Sequence, residues 1–226
     1  MIPKLIHHVW IDPDQETSTV QTIPQDILEN LLSWAKIEIN YRQKIWLIDE
    51  IIDLCQTKNL SEVSRAIKTC RFPSMQADIA RLACLKLFGG FWVDLKIYLN
   101  HRFLDRFSDY DLVLTEVFPK EDLPNPNGIL VNGFIGAAPD NHVISKALHM
   151  AAENVNRRMP GSIYHVTGAT NLMNALQDTP DRGTYFCLRH QTAWGYLFTI
   201  RGGSYNKKNM HWSLREKYEN PYQDIE

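Results

Sequence analysis

The chain has 226 residues, 44% of them apolar and 11% aromatic, enough to bury one full core, which excludes a disordered or fibrous protein. A formal net charge of -2, from 24 Lys and Arg against 26 Asp and Glu, argues against a nucleic-acid backbone as partner, since such binding needs clustered positive charge. Cys55, Cys70, Cys84 and Cys187 are widely spaced with no C-x-x-C pair, so they read as reduced thiols and not as a zinc site or disulfide framework.

No apolar stretch near Met1 has the length of a signal peptide, and none elsewhere spans a bilayer. The expectation is a cytoplasmic chain whose fold starts almost at its first residue. Lys4 to Ile11 is a short apolar run suited to a buried strand, followed by a polar loop from Asp12 to Pro24. Ile27, Leu28, Leu31, Leu32 and Ala35 recur at helical spacing. Lys44 to Asp49 reads as a second buried strand, and Glu50 to Cys55 opens another helix. Strand, helix and strand at this pace predict an α/β protein.

Ser74 is the expected N-cap of a helix whose apolar stripe is Met75, Ile79, Leu82, Ala83 and Leu87, and Gly89-Gly90 is its expected stop. Phe91 to Leu99 then reads as one strand, which puts Asp94 and Lys96 on the same face. Asp78 and Arg81, three residues apart, share a face of the preceding helix. Helix, double glycine and strand therefore bring four charged groups towards one crevice, where open α/β sheets bind ligands. An internal ion-pair network with no ligand is the plainer alternative. Further strands are expected at Leu112 to Val117 and Ile129 to Ala137, and helices from Asn141 to Arg157 and Ala169 to Leu176.

Ala77-Asp78-Ile79-Ala80-Arg81 followed by Leu87-Phe88-Gly89-Gly90-Phe91-Trp92-Val93-Asp94 resembles the A-D-x-x-R…Y-G-G-x-Y-x-D-x-D core of the DXD glycosyltransferases, glycosyltransferase family 32. This family includes capsular-polysaccharide transferases and initiating mannosyltransferases, and the large glucosylating bacterial toxins are related to it. Other stretches are similar to its landmarks, in order: Ile2-Pro3-Lys4-Leu5-Ile6-His7-His8-Val9-Trp10, Ser33-Trp34 with Ile45 to Asp49, Val131 to Gly136, Thr167-Gly168 and His211-Trp212.

The resemblance implies a single GT-A-like α/β domain over residues 1–226, a mixed central sheet flanked by helices. Its nucleotide-binding half is about residues 1–100 and its acceptor side about 101–226. It implies a sugar moved, with retention, from a nucleotide-sugar donor (UDP favoured) to a saccharide or glycoconjugate acceptor, in surface-polysaccharide or glycoconjugate synthesis. Val9, Trp10, Asp49, Asp94 and Lys96 would meet the nucleotide, with the Trp10 indole on the base. Asp78, Arg81, Asn132 and Gly133 would hold the donor sugar, and His211 and Trp212 would close over the diphosphate. Asp94 and Lys96 carry the catalytic expectation. His7 is expected to be a satisfied core histidine. Peripheral membrane association is compatible with this reading; an integral segment is not.

The family pattern breaks at two places, one of them after Trp212, where Ser213-Leu214-Arg215 stands and the family's S-W is not found. Where the second Asp of the motif would stand, the chain has Lys96. A divalent Mn²⁺ or Mg²⁺ at Asp94 is what the family implies, but a protonated lysine ligates no metal, so no cofactor is firmly assigned. Lys207, Lys208 and Arg215 are further candidates for phosphate contacts. The alternative reading is a catalytically silent sugar-nucleotide or glycan-binding module that kept the fold and lost the metal site.

Overall fold

Strand β1 (Leu5–Trp10) pairs in parallel with both β2 (Arg42–Leu47) and β3 (Gly90–Val93), which makes it an inner strand of a six-stranded sheet. The computed structural model describes residues 1–12, 22–117, 129–189, 193–201 and 212–224. The strand order is β2-β1-β3-β6-β5-β7, with β5 at Leu112–Val117, β6 at Ile129–Ala137 and β7 at Tyr185–Arg189. β6 alone runs against its neighbours β3 and β5, and β5 and β7 are parallel.

The alternation of strand side chains feeds two cores. Val9, Trp92, Leu114 and Ile135 pack under α2 (Ile48–Thr57), α3 (Ser61–Thr69), α4 (Pro73–Phe88), α5 (His142–Asn156) and α7 (Ala169–Gln177). Ile6, Phe91, Val93 and Phe134 face the other way, onto Trp34 of α1 (Gln25–Ile37) and a small ribbon of β4 (Ile97–Leu99) with β8 (Phe198–Ile200). This is a mixed α/β architecture, with helices covering the sheet. No helix among the described residues is long and apolar enough to cross a membrane.

The structure corrects three local expectations. Phe91 to Leu99 is not one strand: β3 ends at Val93, the chain turns with the Ile97 N–H donating to the Asp94 carbonyl at 3.0 Å, and β4 belongs to the other sheet. Side chains of α1 stabilise that departure. Asn30 donates to the Leu95 carbonyl at 2.9 Å, Trp34 Nε1 to the Ile97 carbonyl at 2.8 Å, and the Leu99 N–H to Ser33 Oγ at 2.9 Å. They take up backbone groups that a sheet ladder would otherwise have to satisfy. Asp94 and Lys96 therefore do not share a strand face.

The second strand stops at Leu47, because the Leu47 N–H donates to Glu50 Oε2 at 2.8 Å and starts α2 there. Asp49 is thus an exposed residue of a helix's first turn. Ser74 does not cap α4: Phe72 is the N-cap, with Pro73 in the first turn, where a missing N–H costs nothing. Helix α3 is an element the sequence pattern did not announce. Helix α5 starts as expected, the Val143 and Ile144 N–H groups donating to Asn141 Oδ1 at 3.0 and 3.2 Å.

Gly89 (φ +62°) and Gly90 (φ +93°) join α4 directly to β3 in the left-handed region that glycine tolerates. A Cβ on Gly90 would sit 2.5 Å from the Leu5 carbonyl oxygen, so the corner also needs the missing side chain. His7 and His8 brace the two ends of β3. His7 Nε2–H donates to the Gly89 carbonyl and His8 Nδ1–H to the Val93 carbonyl, both at 2.8 Å, while Trp46 and Gln43 donate to the other ring nitrogens. Both imidazoles are neutral core groups, as expected for His7, and burial pulls each pKa down to about 4.

Candidate active site

A cleft of about 730 Å³ opens where the C-terminal ends of β1 and β3, the start of β6, the first turns of α4 and the segment around α6 (Ile163–Val166) come together. The strand order reverses here, since β2 lies on one side of β1 and β3 on the other. Charged groups lie in the cleft floor because α4, buried along most of its length, carries Asp78 and Arg81 into it.

Arg81 is the hub. Its Nη1 donates to Asp78 Oδ1 at 2.7 Å and its Nη2 to Asp94 Oδ1 at 2.9 Å, with the guanidinium carbon 5.2 Å from the Trp92 ring centroid. The Arg81 side chain is 5% exposed, Asp78 11% and Asp94 24%, so only Asp94 offers substantial surface to a ligand. Asp78 accepts two more bonds, from Asn132 Nδ2 at 2.8 Å and Thr167 Oγ1 at 3.1 Å. Trp92 Nε1 donates to Asp94 Oδ1 at 3.0 Å, and the Asp94 N–H donates to the Gly133 carbonyl at 2.9 Å.

Burial pushes the Asp78 carboxyl up from its ordinary range, while the Arg81 charge pulls it back and the Asp94 charge pushes it up further. A buried carboxylate held by three donors acts as an organiser: it aims Arg81 and Asn132, with little left over for a ligand.

Of the residues expected in the site, Val9, Trp10, Asp78, Arg81, Asp94, Lys96, Asn132 and Gly133 all line this cleft. Asp49 does not; it lies on α2, exposed, away from the lining. Trp10 lines the cleft but is only 2% exposed, packed on Ile23, Ile27 and Leu31 with Nε1 donating to Thr22 Oγ1 at 2.8 Å. It presents no open ring face for stacking, which corrects the picture of an indole laid against a base. His211, Lys207 and Lys208 fall outside the described residues, as does the side chain of Trp212, whose backbone begins a final helical turn at Trp212–Arg215. Arg215 lines the cleft with its guanidinium forked onto Glu219 at 2.7 and 2.8 Å.

Two partners were not anticipated. Thr167 anchors Asp78 from 89 residues away, and no local signal marks it beyond the Thr167-Gly168 landmark. Trp92 holds Asp94, and for this a signal existed, since residues two apart on a strand share a face. Tyr164 and His165 form the outer wall on the α6 side.

No family model matches the chain. It is similar to an uncharacterized glycosyltransferase, L373, of Acanthamoeba polyphaga mimivirus, with 26% identity over 143 residues, 63% of this chain and 53% of that protein. The chain thus spans about half the length of this curated relative. Among solved structures it is similar to the PaToxG glycosyltransferase, with a TM-score of 0.52 and 16% identity over 80% of this chain and 71% of that one. At that identity the likeness shows the fold, and the mixed sheet with its flanking helices is GT-A-like.

Proposed function

We propose that the chain is a glycosyltransferase whose cleft binds a nucleotide sugar and passes the sugar, with retention, to a saccharide or glycoconjugate acceptor. The observation that carries this reading is the Asp78–Arg81–Asp94 cluster, fixed by Asn132, Trp92 and Thr167 at the floor of a cleft at the ends of the inner strands β1 and β3. The likeness to the mimivirus glycosyltransferase and the GT-A-like fold support it.

Asp94, the most exposed carboxylate of the cluster, accepts hydrogen bonds from donor hydroxyls, and Asn132 supplies a further amide contact to the sugar. No cysteine lines the described cleft, its two carboxylates are tied to Arg81, and its serine–histidine pair, Ser162 with His165 Nδ1 at 2.9 Å, belongs to the first turn of α6, so this reading gives none of them the nucleophile's role. Transfer on one face of the sugar is then the route. The bond between the anomeric carbon and the leaving phosphate oxygen breaks with its electron pair passing to that oxygen. The acceptor oxygen bonds to the same carbon, and its proton passes to the departing phosphate. Positioning and stabilisation of leaving-group charge supply the catalysis.

The test is to incubate the chain with a panel of UDP-, GDP- and dTDP-sugars, with and without saccharide acceptors, and measure free nucleotide and free sugar. A transferase releases nucleotide faster when an acceptor is present. Thermal stabilisation by a nucleotide sugar with no turnover under any condition would instead identify a binding module.

A further inference from the structure

We propose that this cleft holds the donor's diphosphate with the ammonium of Lys96 and works without a divalent cation; the inference rests on the proposed function above. The family resemblance implies a Mn²⁺ or Mg²⁺ at Asp94, but the oxygens present do not fit one. Asp78 and Asp94 are the cleft's carboxylates among the described lining residues. Asp78 spends Oδ1 on Arg81 and Asn132 and Oδ2 on Thr167. Asp94 spends Oδ1 on Arg81 and Trp92, leaving Oδ2 as the one carboxylate oxygen without a protein donor. No group of three His, Cys, Asp or Glu able to hold a metal occurs among the described residues. A dication at Asp94 Oδ2 would also stand close to a fixed guanidinium, and in a half-buried site that repulsion is weakly screened.

Lys96 supplies what the carboxylates do not. It sits in the turn that carries the chain out of the main sheet, and that turn is fastened on both sides. Asn30 donates to the Leu95 carbonyl at 2.9 Å, and the Arg201 N–H donates to the Lys96 carbonyl at 2.8 Å. The backbone is held while the side chain, exposed and lining the cleft, is free to reach a ligand. Its charge decides the electrostatics of the site. Among the described residues Arg81 is outweighed by Asp78 and Asp94, and Arg215 is neutralised by Glu219, so Lys96 is the cation they leave for a dianionic diphosphate. Lys96 has no ion-pair partner among the described residues. Its ammonium donates to the phosphate oxygens and stabilises the negative charge that grows there as the sugar leaves, with no proton transferred from the lysine.

Calorimetric titration of UDP, GDP, ADP and dTDP into the full chain, in EDTA and then in excess Mn²⁺, tests this. At least one nucleotide binds in EDTA, and Mn²⁺ leaves its affinity unchanged. Lys96→Ala weakens that binding about tenfold or more, the scale of a charge-assisted hydrogen bond, and Lys96→Arg restores part of it. Lys96 is an exposed turn residue, so both variants keep the wild-type melting temperature, which is measured alongside. Binding that disappears in EDTA and returns with Mn²⁺ would overturn the inference and leave the proposed function standing. So would a Lys96→Ala variant that binds as tightly as wild type. Failure of every nucleotide in both buffers would overturn the proposed function, and this inference with it.

Discussion

Arg81 and Asp94 meet at 2.9 Å across the join of a helix and a strand, although thirteen positions of sequence separate them. The pair is braced by Asp78 on the Arg81 side and by Trp92 on the Asp94 side, so the protein's own side chains aim the charges of the cleft. Such preorganisation is where electrostatic catalysis gains most, because nothing has to reorient as charge develops.

Loss of the Asp94 carboxylate removes the exposed end of this arrangement. Asp94→Asn is expected to lower transfer about a hundredfold or more while the chain still folds, because Asp94 faces the cleft and contributes little to core packing. Gly133→Ala gives a gentler version of the same experiment. Its new Cβ would lie 3.2 Å from Asp94 Oδ2, which must yield by a few tenths of an ångström while Oδ1 stays tied to Arg81 and Trp92. Turnover falls and the melting temperature holds. An Asp94→Asn variant with near-wild-type turnover would remove Asp94 from the mechanism.

Asp78 behaves differently, as a member of the core. Asp78→Ala leaves Arg81, Asn132 and Thr167 each short of an acceptor in a buried place, at an expected cost of about 3–5 kcal/mol. Thr167→Val removes one neutral donor to the same carboxylate and is expected to cost only about 1 kcal/mol. Urea unfolding of the two variants measures the contrast, and equal costs would contradict the organising role of Asp78.

For Trp10 the expected readout is stability. At 2% exposure, Trp10→Ala opens a cavity among Ile23, Ile27 and Leu31 and costs about 3–5 kcal/mol. Trp10→Phe keeps most of the packing, loses the bond to Thr22, and is expected to bind nucleoside diphosphate as the wild type does. A large drop in nucleotide affinity for the stable Phe variant would give the indole a direct contact after all.

Stability should also depend on pH through His7 and His8. Their folded pKa values of about 4 lie below the ordinary 6.5, so between these limits the unfolded chain binds protons that the folded one refuses. Folding stability is therefore complete above pH 6.5 and falls as pH drops towards 4, by about 1.4 kcal/mol per pH unit for each histidine. Denaturant midpoints at pH 7 and pH 5 check the slope. An unchanged midpoint would mean that the folded rings take up protons as readily as the unfolded chain, so that the bonds they accept from Trp46 and Gln43 do not hold them neutral.

Much of this arrangement was legible in the sequence because it is periodic. The apolar run of β1, the stripe of α5 and the three-residue spacing of Asp78 and Arg81 all translate directly into structure. Helix α3 escaped because Val63, Ala66 and Ile67 are its only large or small apolar residues amid polar ones, too thin a stripe to stand out. The break after Val93 escaped for another reason. Its hydrogen-bond partners are Asn30, Ser33 and Trp34, more than sixty residues upstream, and no local pattern encodes them. The family resemblance marked Trp10 and Asp49 as ligands, but burial of the one and exposure of the other follow from tertiary packing.

The double-glycine corner has a consequence for how this protein can vary. Because Gly89 is all that stands between α4 and β3, the chain from Asp78 to Asp94 acts as a phased ruler. One residue added or removed along α4 between Arg81 and the corner would turn the face bearing Asp78 and Arg81 by about 100°. One added or removed in β3 would swap Asp94 to the opposite side of the sheet. Substitutions along this stretch can be absorbed one at a time, but changes of length cannot, so the site is inherited here as a fixed count of residues.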